Sequence, residues 1–439
     1  MVETDHYLLK LVKDHKTDSQ RGIFSVCSSN LYVVESSILN AKEKDQYLLI
    51  ESTSNQVDQY GGYTGLTPID FKKQVLDIAK RNNFSRERII LGGDHLGPNV
   101  WQNEKSLNAM IKAENQITSY VSAGFTKVHL DTSMKCIDDG ALDKPLEPLI
   151  IAERAANLCE ISEKTFKNAS PNAAEPVYVI GTDVPPPGGS KSNHLNNRIT
   201  LPEEVDETIH LTEKAFRKRN LDDAWARVIA VVVQPGVEFS DSDINEYDHN
   251  LALPLVRKIE ENKNLVYEAH STDYQKKNSL REMIKDHFAV LKVGPWLTFA
   301  FREAVFALNN IEKKWLGKDK SMILSELEEV VDQQMNADPQ HWKKYYNGSE
   351  TQVSFARKYS FSDRIRYYWA NKYVILSFER LINNLTKKPI PLALLSQYLP
   401  NQYNAIRDGR INNEPKSIII NKIINVIENY NYAIEGGKE

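Results

Sequence analysis

Up to Pro295 the chain alternates short β-rich runs with longer helical stretches, and each run ends in glycine or polar residues. This βαβα rhythm constrains the fold more than any other feature, because parallel strands joined by helices must build a sheet covered on its outer face. The runs are Gly22–Cys27, Tyr47–Glu51, Arg88–Ile90 leading into Asp94-His95, Lys127–Asp131, Val177–Gly181, Val228–Gln234, Val266–His270 and Ala289–Pro295. About eight such units predict a closed (β/α)8 TIM barrel. An open doubly wound sheet is the competing arrangement, but it requires no such regular count.

Between the runs, Asn115–Ala123 reads as a helix stopped by Gly124, and Pro148–Glu163 and Pro202–Arg219 read as further helices. The segment 162–176 reads as a long surface loop. Beyond a long helix over Leu297–Trp315 the pattern is helical only, and Ser362 is a candidate N-cap. The expected organisation is a barrel over residues 1–315 and a helical C-terminal extension over 316–439, packed on the barrel.

In such barrels the chemistry gathers where strands end. The run Leu91-Gly92-Gly93-Asp94-His95-Leu96-Gly97-Pro98 places an acid and an imidazole side by side at the third strand end. Asp can move protons and His can hold a metal. The plainer alternative is a turn in which Asp94 caps the next helix. Glu268 and His270, two apart on the seventh strand, point the same way. They are followed by Ser271-Thr272-Asp273. Imidazoles from two separate strands, His95 and His270, suit zinc, manganese, cobalt or nickel. Asp131 and Asp183 end the fourth and fifth strands and would complete a metal site or bind sugar hydroxyls. His129 shares the face of Asp131 but lies deeper. Lys292, on the eighth strand, is a candidate for an internal ion pair, a phosphate contact or a Schiff base with a ketose.

Several function classes are excluded or disfavoured. Net charge is −4 with no basic face, so nucleic acid is not an expected partner. No apolar stretch is long enough to span a membrane. The three cysteines, Cys27, Cys136 and Cys159, are widely spaced, which fits a reducing cytoplasm and no structural zinc site. No GxxxxGK[ST] run exists, so ATP-dependent phosphorylation has no motif support.

The runs Glu51–Val57, Gly61–Gly65, Leu91–Pro98, His129–Asp131, Val231–Phe239, Val266–Gln275 and Ser362–Trp369 resemble the GatZ/KbaZ family, the Z-type subunit of class II tagatose-1,6-bisphosphate aldolase. The resemblance covers nearly the whole chain. It implies a role in galactitol or N-acetylgalactosamine catabolism, as an accessory subunit that supports the activity and stability of a catalytic Y-type partner. Some relatives act alone as ketose 4-epimerases, and others carry a kinase label. More distantly the chain is similar to the catalytic class II aldolases. That similarity implies Asp94 as acid/base and His95 and His270 as metal ligands. Those enzymes carry a further metal His on the sixth strand and an Asn after Lys-Val on the eighth. This chain has Gln234 and Gly294 there.

Two functions are therefore expected. The first is the accessory subunit. The alternative is a metal-dependent ketose or ketose-phosphate 4-epimerase or aldolase acting by retro-aldol cleavage between C3 and C4. The site would comprise Asp94 and Asp273 as acid/base groups, His95 and His270 on the metal, and Asn55, Asp131, Asp183, Gln234, Lys292 and Arg366 around a small sugar or sugar phosphate.

Overall fold

The computed structural model describes residues 6–141, 144–169, 174–182 and 198–436. Eight parallel strands close into a barrel in sequential order. They are β1 (Ile23–Cys27), β2 (Leu48–Thr53), β3 (Ile89–Leu96), β4 (Lys127–Leu130), β5 (Val177–Ile180), β6 (Val228–Val233), β7 (Val266–Ala269) and β8 (Val290–Val293). A short hairpin pairs Glu238–Phe239 with Ile244–Asn245. Among the described residues no strand follows β8, and the chain continues as helices to Ile434. No described helix is long and apolar enough to cross a membrane.

The barrel interior is divided by chemistry. Its lower part is apolar, with Ile23, Leu49, Ile90, Val177, Val179 and Ile229 packed together. The amphipathic helix Tyr7–Thr17 plugs that end, adding Leu8, Leu11 and Val12 to the same cluster. Burying these side chains contributes roughly 1.5–3 kcal/mol each. The upper part is ionic. Lys127 Nζ lies 2.7 Å from both Glu51 Oε1 and Glu268 Oε2. Lys292 Nζ lies 3.0 Å from Glu268 Oε1, and Ser25 Oγ donates to Glu51 Oε1 at 2.6 Å. Gly92 makes room for this network, since a Cβ there would sit 2.8 Å from Glu51 Cγ.

The helix after β8, Pro295–Leu316, leads the chain away, and the last helix, Pro415–Ile434, packs against the barrel beside β1. Its Tyr430 ring meets Phe24 and Trp296, and its hydroxyl donates to the Thr272 carbonyl at 3.0 Å. Asn431 Nδ2 donates to Asn40 Oδ1, and Arg281 donates to the Ala433 carbonyl. One continuous apolar core joins barrel residues such as Phe24 to Tyr430 of this helix.

Three local expectations are corrected. The helix from Pro148 does not stop at Glu163 but continues to Ala169. Glu163 is held by Arg227 at 2.8 Å, Ser162 bonds Tyr178, and Phe166 is buried, so 162–169 is packed helix rather than loop. Asp94 and His95 lie within β3, not after it. The pairing with β4 shifts between Gly93 and Leu96, and His95 takes a left-handed φ of 51°. Ser362 caps no helix. Asp363 is left-handed at φ 47° and a 3-10 turn follows over Arg364–Tyr368. The Ser362 hydroxyl is engaged by Asp241 and Tyr346 instead.

Candidate active site

The irregularity in β3 builds the site. It turns the His95 ring toward the barrel axis, where Nδ1 meets Asp131 Oδ2 at 2.7 Å. The chain can pass so close to β4 because residue 97 is glycine: a Cβ there would lie 1.8 Å from the Asp131 carbonyl oxygen. Asp94, whose Oδ1 lies 3.7 Å from His95 Nε2, accepts from Thr53 Oγ1 at 2.8 Å and pairs with the Lys292 ammonium.

Three imidazoles form a compact triangle. The ring centroids of His95, His129 and His270 lie 4.9–5.1 Å apart. His129 belongs to two overlapping groups of donor atoms, one with Asp94 and His95 and one with Glu268 and His270, each within 4.8 Å. His129 Nε2 is buried with no hydrogen-bond partner among the described residues, and a buried ring nitrogen left unpaired among other donors calls for a partner such as a cation. The outer contacts agree. His95 holds a carboxylate on its other nitrogen, and His270 Nε2 holds Glu268 Oε1 at 3.1 Å, the pattern that orients metal-binding histidines. The donor set is therefore compatible with a divalent metal, held by Asp94, His95 and His129 or by His129, Glu268 and His270.

The electrostatics separate the carboxylates. Burial would raise Asp94, but the charges of His95 and Lys292 outweigh it and hold the carboxyl well below its usual range. Burial lowers His270 and His129 and keeps both rings neutral, the form that binds metals, whereas at His95 Asp94 and Asp131 outweigh burial and raise the ring, which would give up that proton to an ion. Burial would also lower Lys292, yet Asp94, Glu268 and Glu51 hold its ammonium well above the ordinary lysine range. An ammonium held this way has no free electron pair for a carbonyl, which argues against a Schiff base. Asp273 differs. Burial pushes it up to about 6 even though Oδ1 accepts from the backbone N–H groups of Gly294 and Trp296.

Above the triangle opens a cavity of about 660 Å³. Asn55, Asp94, His95, His270, Asp273, Lys292 and Arg366 all line it. Arg366 comes from the 3-10 turn after Asp363. Its guanidinium donates to the carbonyls of Ser362 and Asp363, at 2.5 and 3.0 Å, and to the Tyr367 hydroxyl. Its neighbour Arg364 points away, over the Tyr345 ring. Asp131 does not reach the cavity; it stands behind His95. Gln234 follows β6, binds Thr200 through its backbone, and is not among the lining residues. Asp183 lies outside the described residues. Sequence reasoning undervalued His129, whose signal was its spacing of two from Asp131. It also gave no role to Glu51 and Lys127, and it missed Tyr63 and Tyr367, which share the cavity wall.

Asp363 behind Arg366 gives a direct test of this wall. Its carboxyl is buried, with Thr298 donating to Oδ2 and no partner for Oδ1. Burial raises it to about 7 against the pull of Arg366. A carboxyl that binds its proton more tightly folded than unfolded stabilises at low pH. That contribution is complete below the unfolded value near pH 4 and is lost as pH rises through about 7. Asp363→Asn keeps the left-handed backbone and removes the titration. Its melting temperature should therefore rise relative to wild type between pH 5 and pH 8, by the equivalent of a few kcal/mol. Parallel pH curves for the two proteins would show that Asp363 does not titrate in this range.

Fold and site together define a (β/α)8-barrel protein with a partly open cavity at the C-terminal mouth, its donor groups compatible with a divalent cation. Residues 8–435 match the D-tagatose-1,6-bisphosphate aldolase subunit GatZ/KbaZ-like family, and the chain belongs to that family. A crystal structure of a probable tagatose 6 phosphate kinase from Sinorhizobium meliloti 1021 is 40% identical, with a TM-score of 0.85 over 94% of this chain and 100% of that one. Fructose-bisphosphate aldolase from Campylobacter jejuni is 14% identical with a TM-score of 0.45, over 86% of this chain and 91% of that one. The YdjI aldolase from Escherichia coli K12 is 10% identical with a TM-score of 0.40, over 85% and 95%. Likeness at these last two levels carries no argument about chemistry.

Proposed function

We propose that this chain is itself catalytic, a metal-dependent enzyme that breaks and remakes the C3–C4 bond of a ketose phosphate such as tagatose 6-phosphate or tagatose 1,6-bisphosphate, and so interconverts its C4 epimers. The observation that carries the reading is the imidazole triangle of His95, His129 and His270 with an orphaned Nε2, set under a partly open cavity. Burying three rings and several charges is unfavourable unless they are paired or put to use. The family's tie to tagatose bisphosphate supplies the substrate class.

His129 would hold the ion with His95 and Asp94 or with His270 and Glu268, and zinc, manganese, cobalt and nickel all suit such a donor set. When bound, the ion would polarise the C2 carbonyl as a Lewis acid. Asp273, titrating near 6, takes the C4 hydroxyl proton. The C3–C4 electron pair then enters the enediolate over C2 and C3, and C4 becomes an aldehyde. Rotation of the aldehyde and re-addition of C3 to its other face inverts C4. Lys292 keeps Asp94 ionised and fixed, and Arg366 offers a cation to phosphate or sugar oxygens. The cavity is open enough for the aldehyde to turn and walled enough to retain it.

The family description as an aldolase subunit favours a second reading, in which the chain supports a catalytic Y-type partner. The two separate cleanly. Purified chain loaded with each metal in turn is incubated with tagatose 1,6-bisphosphate, and C4 epimer and released aldehyde are followed. Turnover without partner is expected. No turnover with any metal, together with increased activity or heat resistance of an added Y-type subunit, would leave the accessory role alone.

A further inference from the structure

We propose that Tyr367 is a second acid/base group of this site, exchanging its phenolic proton with the C4 oxygen of the ketose. The inference rests on the epimerase reading above. The two C4 epimers direct their hydroxyls to opposite sides of the carbon. One fixed base cannot reach both, so interconversion needs a second proton carrier in the same cavity.

The described lining offers few candidates. Asp94 is committed to Lys292 and Thr53, and Lys292 to three carboxylates. Burial pushes the Cys27 thiol and the Tyr63 phenol up, and Tyr32 up to about 12. Glu379 is exposed on the rim. Tyr367 is held otherwise. Its ring stacks on His341 with centroids 4.6 Å apart and planes 7° from parallel. Tyr63 meets it edge-on at 4.6 Å. Arg366 donates to its oxygen at 3.1 Å. Asn55, two residues beyond Thr53, the partner of Asp94, lines the same cavity. Burial would raise the phenol, but the charges of Arg366 and Arg364 bring it below the ordinary tyrosine range. The groups packed on it are Arg366, Tyr63 and His341, with the Arg364 guanidinium turned away over Tyr345.

The protons balance. With one epimer, the Asp273 carboxylate accepts the C4 hydroxyl proton and the C3–C4 bond breaks. After rotation and re-addition, the new C4 alkoxide takes the Tyr367 proton, leaving a phenolate beside Arg366. The proton on Asp273 returns to Tyr367 through solvent in the open cavity. With the other epimer the roles reverse.

Tyr367→Phe keeps the stacked ring and removes only the hydroxyl. We expect interconversion to fall about 100-fold or more. Retro-aldol cleavage of one epimer should persist within about threefold while cleavage of the other falls with interconversion. Metal content and melting temperature should be unchanged. Independently of turnover, an ultraviolet difference titration of wild type should show one tyrosine ionising ahead of the rest, and Tyr367→Phe should lack it. Interconversion within about threefold of wild type, or equal loss of both cleavage reactions, would overturn the proposal while leaving the epimerase reading intact. Wild-type protein that turns over neither epimer would remove both.

Discussion

Lys127→Met is expected to lose about 3–5 kcal/mol of folding stability, the usual penalty for removing one partner from a buried ion pair. Lys127 has no solvent exposure, and its ammonium lies 2.7 Å from Glu51 Oε1 and from Glu268 Oε2. Methionine fills much the same volume, so the loss reports charge rather than a cavity. Without Lys127, Lys292 is left facing Glu51, Glu268 and Asp94. The effect should carry to the site, because Glu268 also holds His270. Thermal and denaturant unfolding measure the first effect. A variant as stable as wild type would show that solvent reaches the barrel centre and that the ion network is not a dry one.

His129→Ala should lower divalent-metal affinity by about 100-fold or more, and Asp131→Ala by about 10–100-fold. The grading follows from position. His129 belongs to both donor groups, so its loss removes a ligand from either. Asp131 only bonds the far nitrogen of His95, so its loss frees that ring to rotate and weakens a ligand that is still there. Calorimetric titration with manganese or zinc of protein stripped by a chelator measures both. If Asp131→Ala were the more damaging, Asp131 would be a ligand itself and the triangle would be misassigned. If neither mattered, the cation would sit elsewhere or nowhere.

The fold was readable because barrel strands are buried on both faces and short, so each appears as a compact apolar run with a polar end. All eight runs correspond to β1–β8 with ends displaced by a few residues. The helix Tyr7–Thr17 at the barrel floor and the docking of Pro415–Ile434 were not legible, because an amphipathic pattern says that a face is buried but not against what. Asp94, His95, His270, Asp273, Lys292 and Arg366 do converge on one cavity. His129 was legible only as sharing the face of Asp131, deeper in the barrel. The shift between Gly93 and Leu96 sinks His95 toward the level of His129, and nothing in the residue pattern signals a bulge of that kind. Gln234 entered only through likeness to a sixth-strand histidine, and the imidazoles that line the cavity come instead from β3 and the end of β7. Tyr367 stayed hidden because its partners Tyr63 and His341 come from segments far apart in the chain.

The most direct measurement is elemental analysis of wild type and His270→Ala, each dialysed against one divalent metal and then against metal-free buffer. The site described predicts about one equivalent retained per wild-type chain, a lower melting temperature after chelation, and little or no metal in the variant. Wild-type protein that retains no metal, or a variant that retains as much as wild type, would contradict the claim that these imidazoles form a metal centre.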